Sequence, residues 1–463
     1  MQLSNAAEYA RIKKRILETG PAAYYEKIRN GNFCGEPTYH ALLDVTREER
    51  QNWWREARFG IFVHYGLFSV GGRGEWDLAW NGTPRAAYDA QLDGFTPRPD
   101  AAKRWAECAA EAGARYIVLT TRHHDGFSLW DSRVNPYNSV QLGPHRDLVG
   151  EFVEAARACH LKVGLYSSLM DWHHPDGAAA KYDPEARARF LAYLEALNTE
   201  LLTCYGKIDI LWYDMPYPMQ GADGWNALTM NQRLRALQPH ILLNNRSGEP
   251  EDFSTPEENL QTCENDWESC LTFNQMTWGY ADSAQMKPYS YTVQQLIEKL
   301  SFCARNRGNL LLNIGPKPDG GIPGENLPEL QTLGKWLRDN GEAVYGSDLR
   351  SAKGLSGGCA YALYGGPILS RQSAKGNTVY IWQLVWPDHG ILPVNGYRAA
   401  PRSVRLLRGN VPVDFSYENG RILLKNLPKN SPDPHANIPV FALDFAEEPD
   451  YCFCAGYPHF LQY

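Results

Sequence analysis

The chain has 463 residues, of which 43% are hydrophobic and 21% charged, and its formal net charge is −7. These fractions are typical of an ordinary globular protein, and the negative charge argues against nucleic acid as a partner. No apolar run approaches the ~20 residues of a membrane span, so no membrane contact is expected. The polar, acidic N-terminus predicts a cytoplasmic protein, or one from which a secretion signal has been removed.

Helices precede an alternation of short strands and helices. Residues 1–50 are predicted to form a helical extension, with helices over 5–18 and 22–29, and a third helix over 47–58 leads out of it. From residue 51 to 348, near-continuous apolar strands alternate with helices, which is typical of a buried parallel sheet. The predicted strands cover residues 58–66, 116–121, 162–167, 207–213, 241–246, 269–273 and 309–315. We therefore predict an α/β fold, an irregular (β/α)8 TIM-like barrel with one element missed or degenerate.

The last part of the chain has a different pattern. Residues 349–463 contain short strands separated by turns, such as the segments 378–385, 403–407 and 440–445. This pattern predicts a C-terminal antiparallel β-sandwich. No catalytic constellation stands out there, so the functional site is expected in the barrel.

Polar residues stand at or just beyond the carboxyl ends of the predicted barrel strands. In a barrel these ends share one face, which is where enzymes of this architecture keep their catalytic groups. The residues are His64, His123, His124, Tyr166, Asp214 and Arg246. We therefore expect one site that gathers them.

The candidate chemistry at this face is carboxylate chemistry, because the sequence has neither a GxSxG elbow nor a dinucleotide fingerprint. Sugar hydrolysis needs one carboxylate at the anomeric carbon and a second group that protonates the leaving oxygen. Asp214, at the end of strand 207–213, suits the first role. Glu257 and Glu268 compete for the second role. Glu257 follows strand 241–246 at the catalytic face, whereas Glu268 precedes the next strand and is expected nearer the opposite face.

The adjacent histidines His123 and His124 also allow a metal-dependent hydrolase. However, neighbouring strand residues point to opposite faces, and no HExxH motif or third-ligand spacing accompanies this pair. Hydrogen bonding to a polar ligand is therefore the favoured interpretation, and neither a metal nor another cofactor is expected. Loss of activity with chelators would indicate the alternative.

A set of motifs between about residues 50 and 350 resembles glycoside hydrolase family 29, the α-L-fucosidases. In chain order, the motifs are Arg58–Gly66, Glu75-Trp76, His123–Phe127, Leu211–Asp214, Trp267–Thr272, Trp278–Tyr280 and Gly308–Pro316. The resemblance implies a retaining mechanism on an irregular (β/α)8 barrel, a C-terminal β-sandwich and no metal.

Carried over motif by motif, the resemblance implies roles for single residues. Asp214 resembles the nucleophile, and Glu257 resembles the acid/base of the Asp-Phe-x-Thr-x-Glu pattern. The positions that match sugar contacts are His64, Glu75, Trp76, His123, His124, Tyr166, Trp212, Arg246 and Trp278. Two residues depart from the family pattern. Tyr65 stands where tryptophan is usual, and Asp77 with its neighbours replaces the aromatic that commonly follows Glu-Trp.

The expected function is exo-acting hydrolysis of terminal α-L-fucosyl residues from small carbohydrates or glycoconjugates. Because of the two departures, specificity for another L-hexoside, such as an α-L-galactoside, is one alternative. A catalytically inactive carbohydrate-binding protein on the same barrel is another, although the presence of both carboxylates argues against it. The sequence does not indicate an oligomeric state.

Overall fold

A computed structural model of the protein describes residues 6–215, 217–219, 221–282, 290–348, 369–387, 389–418 and 420–449. Its first elements are four helices, α1 (Ala6–Thr19), α2 (Pro21–Arg29), α3 (Glu36–Val45) and α4 (Arg47–Ala57). The sequence analysis missed α3. Its proline, Pro37, lies in the first turn, where a missing N–H costs no intrahelical hydrogen bond. The proline therefore begins this helix instead of breaking it.

Seven parallel strands form the central sheet. They are β1 (Phe59–Val63), β2 (Tyr116–Arg122), β3 (Lys162–Ser168), β4 (Ile210–Asp214), β5 (Leu242–Leu243), β6 (Glu268–Leu271) and β7 (Asn309–Ile314). Their order is β5-β4-β3-β2-β1-β7-β6. The strand residues are buried almost throughout, which explains their continuous apolar sequences. β5 is shorter than the predicted 241–246, because Asn245–Ser247 form a 3-10 turn.

Helices connect most of the successive strands, although no α-helix lies among the described residues between β5 and β6. Those between β1 and β2 are α5 (Phe68–Gly71), α6 (Asp77–Trp80), α7 (Arg85–Asp89) and α8 (Ala101–Glu111). The later ones are α9 (Leu148–Ala158), α10 (Pro184–Cys204), α11 (Gly221–Trp225), α12 (Ala227–Leu237), α13 (Val293–Arg305) and α14 (Leu327–Asn340). Apolar residues of helices and strands together form one large core. Within the described ranges, no helix is long and apolar enough to cross a membrane.

Residues 252–258 lie between the two edge strands of the sheet. On one side, the Asp252 amide donates a hydrogen bond to the Leu243 carbonyl (3.0 Å). On the other side, the Cys270 amide donates to the Pro256 carbonyl (3.1 Å). This segment, which carries Glu257, is therefore hydrogen-bonded to the regions of both β5 and β6. It contains a proline, which cannot donate to a ladder, so its sequence does not resemble that of a strand.

A buried ion network connects the N-terminal helices to this segment. Arg50 of α4 donates to Oδ1 of Asp252 (2.8 Å), and Arg235 of α12 donates to its Oδ2 (2.9 Å). Arg235 also bonds to Glu251 (2.7 Å). Burial alone would raise the pKa of the Asp252 carboxyl, but the two guanidinium groups outweigh burial and lower it. The helices thus support the segment that carries Glu257.

The described C-terminal part consists of antiparallel strands. They are β8 (Ser370–Lys375), β9 (Thr378–Gln383), β10 (Leu392–Asn395), β11 (Ser403–Leu406), β12 (Val411–Pro412), β13 (Phe415–Glu418), β14 (Arg421–Leu424) and β15 (Val440–Asp444). A five-stranded sheet has the order β12-β11-β15-β9-β8, and a three-stranded sheet has the order β10-β14-β13. One cluster of buried apolar side chains contains residues of both sheets, for example Ile381 of β9 and Ile422 of β14. Residues 349–368 and 450–463 lie outside the described part of the chain. The predicted domain boundary after residue 348 adjoins the first of these two segments.

Candidate active site

A cavity of about 50 Å³ opens where strands β1 to β4 end. Its lining residues are Phe62, His64, Trp76, His123, His124, Tyr166, Trp212, Asp214, Met215, Glu257, Cys270 and Trp278. The lining contains all the predicted site residues except Glu75 and Arg246, and both of these are hydrogen-bonded to lining residues. The carboxyl ends of the strands gather these side chains, as the strand-end pattern predicts.

Asp214 is the last residue of β4 and is held by several donors. Its Oδ2 accepts the hydroxyl hydrogen of Tyr166 (2.8 Å), and its Oδ1 accepts from Arg246 (2.9 Å) and from the Met215 amide (2.7 Å). Burial raises the pKa of Tyr166 well above its ordinary value, and the Asp214 carboxylate adds to this. Tyr166 is therefore a neutral phenol that donates to the carboxylate and fixes its orientation.

Arg246 bridges the two candidate catalytic carboxylates. Besides Asp214, it bonds to Oε2 of Glu257 (2.8 Å), while the Trp278 indole N–H donates to the other oxygen of Glu257 (3.1 Å). Burial alone would lower the pKa of Arg246, but the carboxylates of Asp214 and Glu257 raise it overall. The Asp214 side chain is 15% exposed and that of Glu257 is 42% exposed, so Glu257 lies nearer the mouth of the cavity.

The histidines of the cavity are neutral. Burial lowers the pKa of His64 and that of His124 to about 3, and it lowers the pKa of His123 well below its ordinary value. Nδ1 of His64 lies 2.7 Å from Oδ1 of Asn313, and that amide donates its own hydrogen to the Trp278 carbonyl. His64 therefore donates from Nδ1, and its Nε2 remains an acceptor.

His124 has the same tautomer. Its Nδ1 lies 2.7 Å from Oγ of Ser168, whose own hydrogen goes to the Met170 carbonyl (2.7 Å). Nε2 of His124 is thus an acceptor, 3.6 Å from Oδ2 of Asp214. Nδ1 of His123 is buried and has no hydrogen-bond partner among the described residues. Such a group is costly unless a ligand satisfies it, so His123 is suited to bind a sugar hydroxyl.

His123, His124 and Asp214 offer ligand atoms within 4.8 Å of one another, a spacing that could also hold a metal ion. The expectation that the two histidines point to opposite faces is wrong, since their ring centroids are 3.9 Å apart and both line the cavity. The reason is that β2 ends at Arg122, so the alternation of a strand no longer applies. The Arg246 guanidinium beside Asp214 nevertheless supplies a positive charge there, which opposes a second cation.

Glu75, which is predicted to contact sugar, holds the loop that carries Trp278. Its Oε2 accepts the amide hydrogens of Trp278 (3.0 Å) and Gly279 (2.7 Å). Burial raises the pKa of Glu75 to about 7. Because Trp278 lines the cavity and bonds to Glu257, Glu75 acts on the site through this residue.

Glu268, the rival candidate for the acid, begins β6 at the end of the strand away from the cavity, as predicted. It is fully buried and accepts hydrogen bonds from the Trp212 indole N–H (3.0 Å) and from the Tyr116 hydroxyl. Burial raises the pKa of Glu268 to about 7. Glu268 thus supports Trp212, whose ring stacks on Tyr166 with centroids 5.7 Å apart.

Three lining residues were missed by the sequence analysis, namely Phe62, Met215 and Cys270. Phe62 lies two residues before His64, which is a predicted site residue, whereas Cys270 has no predicted site residue two positions before or after it. Because alternate residues of a strand share a face, the spacing of Phe62 was a usable signal. Met215 carried no such signal, since it follows the end of β4 and has a positive φ of 53°.

Comparison with known sequences identifies the family. The family model described as Alpha-L-fucosidase matches residues 36–342. The tissue alpha-L-fucosidase of Macaca fascicularis is 31% identical over 421 residues, covering 82% of this chain and 85% of the relative. The alpha-L-fucosidase of Branchiostoma floridae is 29% identical over 440 residues, covering 86% of this chain and 93% of the relative.

Solved structures agree with the sequence comparison. Alpha-L-fucosidase isoenzyme 1 from Paenibacillus thiaminolyticus superposes with a TM-score of 0.77 at 33% identity, covering 87% of this chain and 100% of its own. A GH29 alpha-L-fucosidase from Bacteroides thetaiotaomicron, trapped as a covalent intermediate with 2-fluoro-fucosyl fluoride, has a TM-score of 0.74 at 26% identity, covering 86% and 96%. The chain therefore belongs to the α-L-fucosidases of glycoside hydrolase family 29.

Proposed function

We propose that the protein is an exo-acting, retaining α-L-fucosidase in which Asp214 is the nucleophile and Glu257 the acid/base. The observation that carries the proposal is that the single guanidinium of Arg246 bonds to both carboxylates, at 2.9 and 2.8 Å. Carboxylates that share one guanidinium lie close together, and a short separation is typical of retaining rather than inverting glycosidases. The trapped covalent intermediate of the Bacteroides relative supports the same choice.

The reaction proceeds by two displacements. Asp214 attacks the anomeric carbon from the β face while Glu257 donates its proton to the glycosidic oxygen, so the C1–O bond breaks and the alcohol departs. The β-fucosyl ester of Asp214 is then attacked by water, which gives a proton to the Glu257 carboxylate, and α-L-fucose is released. The deeper burial of Asp214 fits this division of roles, because Glu257 must meet both the leaving group and water.

The cavity lining supports recognition of a single L-sugar. His64, His123 and His124 provide neutral ring nitrogens for hydroxyl groups. The apolar side chains of Phe62 and Cys270 provide surface for the C6 methyl group of fucose. An α-L-galactoside adds one hydroxyl at this carbon, which an apolar pocket rejects by only about 10²-fold. We therefore propose fucoside hydrolysis with some activity on the galactoside.

We also propose that residues 252–258 take the place of the eighth strand in a TIM-like barrel spanning residues 51–348. Their backbone hydrogen bonds to the regions of both β5 and β6 support this assignment. For the C-terminal region, the apolar cluster shared by the two antiparallel sheets supports a sandwich. The barrel assignment matters for function, because it makes Glu257 a residue of the barrel wall.

Rates on aryl α-L-fucoside, α-L-galactoside and α-L-glucoside test the proposal. We expect the fucoside to be fastest, and NMR should detect α-L-fucose as the first product. Faster hydrolysis of the galactoside or glucoside would change the sugar assignment, and β-L-fucose as the first product would contradict retention. Binding of fucose without turnover of any fucoside would indicate the carbohydrate-binding alternative.

A further inference from the structure

Trp80 is an exposed aromatic side chain beside the cavity. It is 73% exposed, whereas most large apolar side chains among the described residues are buried. Its ring stacks on that of Trp76 with centroids 5.2 Å apart and an interplanar angle of 21°. One face of the Trp80 indole is therefore covered by Trp76, which leaves the rest of the ring in contact with solvent.

Trp76 connects Trp80 to the catalytic groups. Trp76 lines the cavity together with Asp214 and Glu257, and its ring packs edge-on against His124 at 5.2 Å. Trp172 packs against the same Trp76 ring at 5.1 Å and thus holds it from a second side. Trp80 consequently continues the aromatic wall of the cavity outward beyond its mouth.

The short helix α6 fixes this arrangement. Trp76 and Trp80 are four residues apart, a spacing that places two side chains on the same face of a helical turn. Asp77 is buried at the start of α6 and accepts hydrogen bonds from Arg73 (2.8 Å) and Asn81 (2.7 Å). The exposed indole is therefore held in place before any ligand binds, so little side-chain entropy would be lost on contact.

We propose that Trp80 forms a binding subsite for the leaving-group sugar, on which a hexose ring stacks its C–H face. This inference rests on the proposed function. An exo-acting site encloses the terminal fucose, so the next ring must lie beyond the mouth, where Glu257 protonates the bond between them. A sugar ring suits Trp80 because it covers the indole with an apolar face while its hydroxyls stay in water.

The test compares two substrates that differ only in the leaving group. The first is α-L-fucosyl fluoride, whose leaving group is a single atom. The second is a disaccharide in which fucose is linked to galactose or to N-acetylglucosamine. Of these two disaccharides, the one that the wild type hydrolyses faster is used. Trp80→Ala should lower kcat/KM for the disaccharide about tenfold and leave kcat/KM for the fluoride within about twofold. Inhibition by free fucose should be unchanged.

Two variants serve as controls. Trp80→Phe keeps a flat ring and should retain most of the activity on the disaccharide. Tyr182→Ala removes another exposed ring, which is 81% exposed and packs beside Lys181, and should affect neither substrate.

Three results would overturn the subsite. Equal losses on both substrates would show that Trp80 acts only by supporting Trp76, and no loss on either would show that no sugar stacks there. A lower molar mass of Trp80→Ala in light scattering would show that Trp80 instead contacts a second copy of the chain. Failure of the proposed function is distinguishable from all of these, because the wild type itself would then not hydrolyse the fluoride.

Discussion

The hydroxyl of Tyr166 donates a hydrogen bond of 2.8 Å to Oδ2 of Asp214. This contact depends on the pairing of two neighbouring strands, in which Tyr166 stands beside Trp212 and Ser168 beside Asp214. It presents a neutral donor to the carboxylate that is proposed to attack the sugar. The orientation of this carboxylate is thus set by strand register and needs no substrate.

Tyr166→Phe should lower kcat/KM for an aryl α-L-fucoside by about 10- to 100-fold, because it removes a buried hydrogen bond to a charged group. The thermal unfolding midpoint shows whether the fold is kept. Tyr213→Phe is a matched control, since the Tyr213 hydroxyl is buried and has no hydrogen-bond partner among the described residues. Equal effects of the two substitutions would contradict the role given to Tyr166.

Leaving-group dependence separates the two candidate acids. Glu257→Ala should slow substrates with poor leaving groups by about 10²- to 10⁴-fold, and activated aryl fucosides much less, because an activated phenol departs without a donated proton. Azide needs no base and should restore turnover, giving the α-fucosyl azide after two inversions. In Asp214→Gly, azide should enter directly and give the β-azide.

Glu268→Ala is the comparison for this experiment. It should lower activity without leaving-group dependence and without rescue by azide. The reason is that Glu268 bonds to the indole of Trp212 and not to a reacting group. If Glu268→Ala shows both effects and Glu257→Ala shows neither, Glu268 is the acid/base and the assignment of Glu257 is wrong.

The buried Glu268 should make stability depend on pH. Its pKa is about 7 in the folded protein against an ordinary value of 4.5. Between these values the folded state binds a proton that the unfolded state has lost, so stability falls as pH rises through this window, by up to about 3 kcal/mol. Glu268→Gln cannot ionise, and its amide can satisfy both Trp212 and Tyr116.

Urea unfolding at pH 5 and pH 8 measures this effect. The free energy of unfolding of Glu268→Gln, relative to wild type, should be higher at pH 8 than at pH 5. Glu75→Gln should show the same trend, since burial also raises the pKa of Glu75 to about 7. A pH-independent difference for Glu268→Gln would show that Glu268 is ionised in the folded state throughout this range.

Exhaustive dialysis against a chelator should leave the rate of fucoside hydrolysis unchanged. The reason is that His123 and His124 are assigned to sugar hydroxyls and that Arg246 already supplies the positive charge beside Asp214. Activity that is lost on dialysis and restored by Zn²⁺ would instead assign the two histidines and Asp214 to a metal site. Metal analysis of the dialysed protein serves as the control for complete removal.

Much of the fold was predictable because the strands are buried on both faces. Seven apolar runs were therefore recognisable, and the polar residues at their ends indicated Asp214 and the three histidines. Arg246 was recognised too, although it lies in a 3-10 turn and not on the predicted strand.

Other features depend on contacts that no local pattern records. The segment 252–258 bonds to two strands but has no alternating apolar sequence, so the sequence showed only seven strands. The hydrogen bonds of Glu75 to the amides of Trp278 and Gly279 join positions more than 200 residues apart in the chain, so no local pattern could indicate them. Both histidines face the cavity because they follow the end of β2 at Arg122, where the alternation of a strand no longer applies.

The buried pair of Arg50 and Asp252 joins positions that are 202 residues apart along the chain. Contacts of such long sequence separation form slowly, because a large loop must close before they stabilise anything. A chain that lacks this pair keeps Asp214 at the end of β4, but the segment that carries Glu257 has lost one of its anchors. We therefore expect activity to appear only after helix α4 has docked on this segment, because its proposed acid/base, Glu257, depends on that contact.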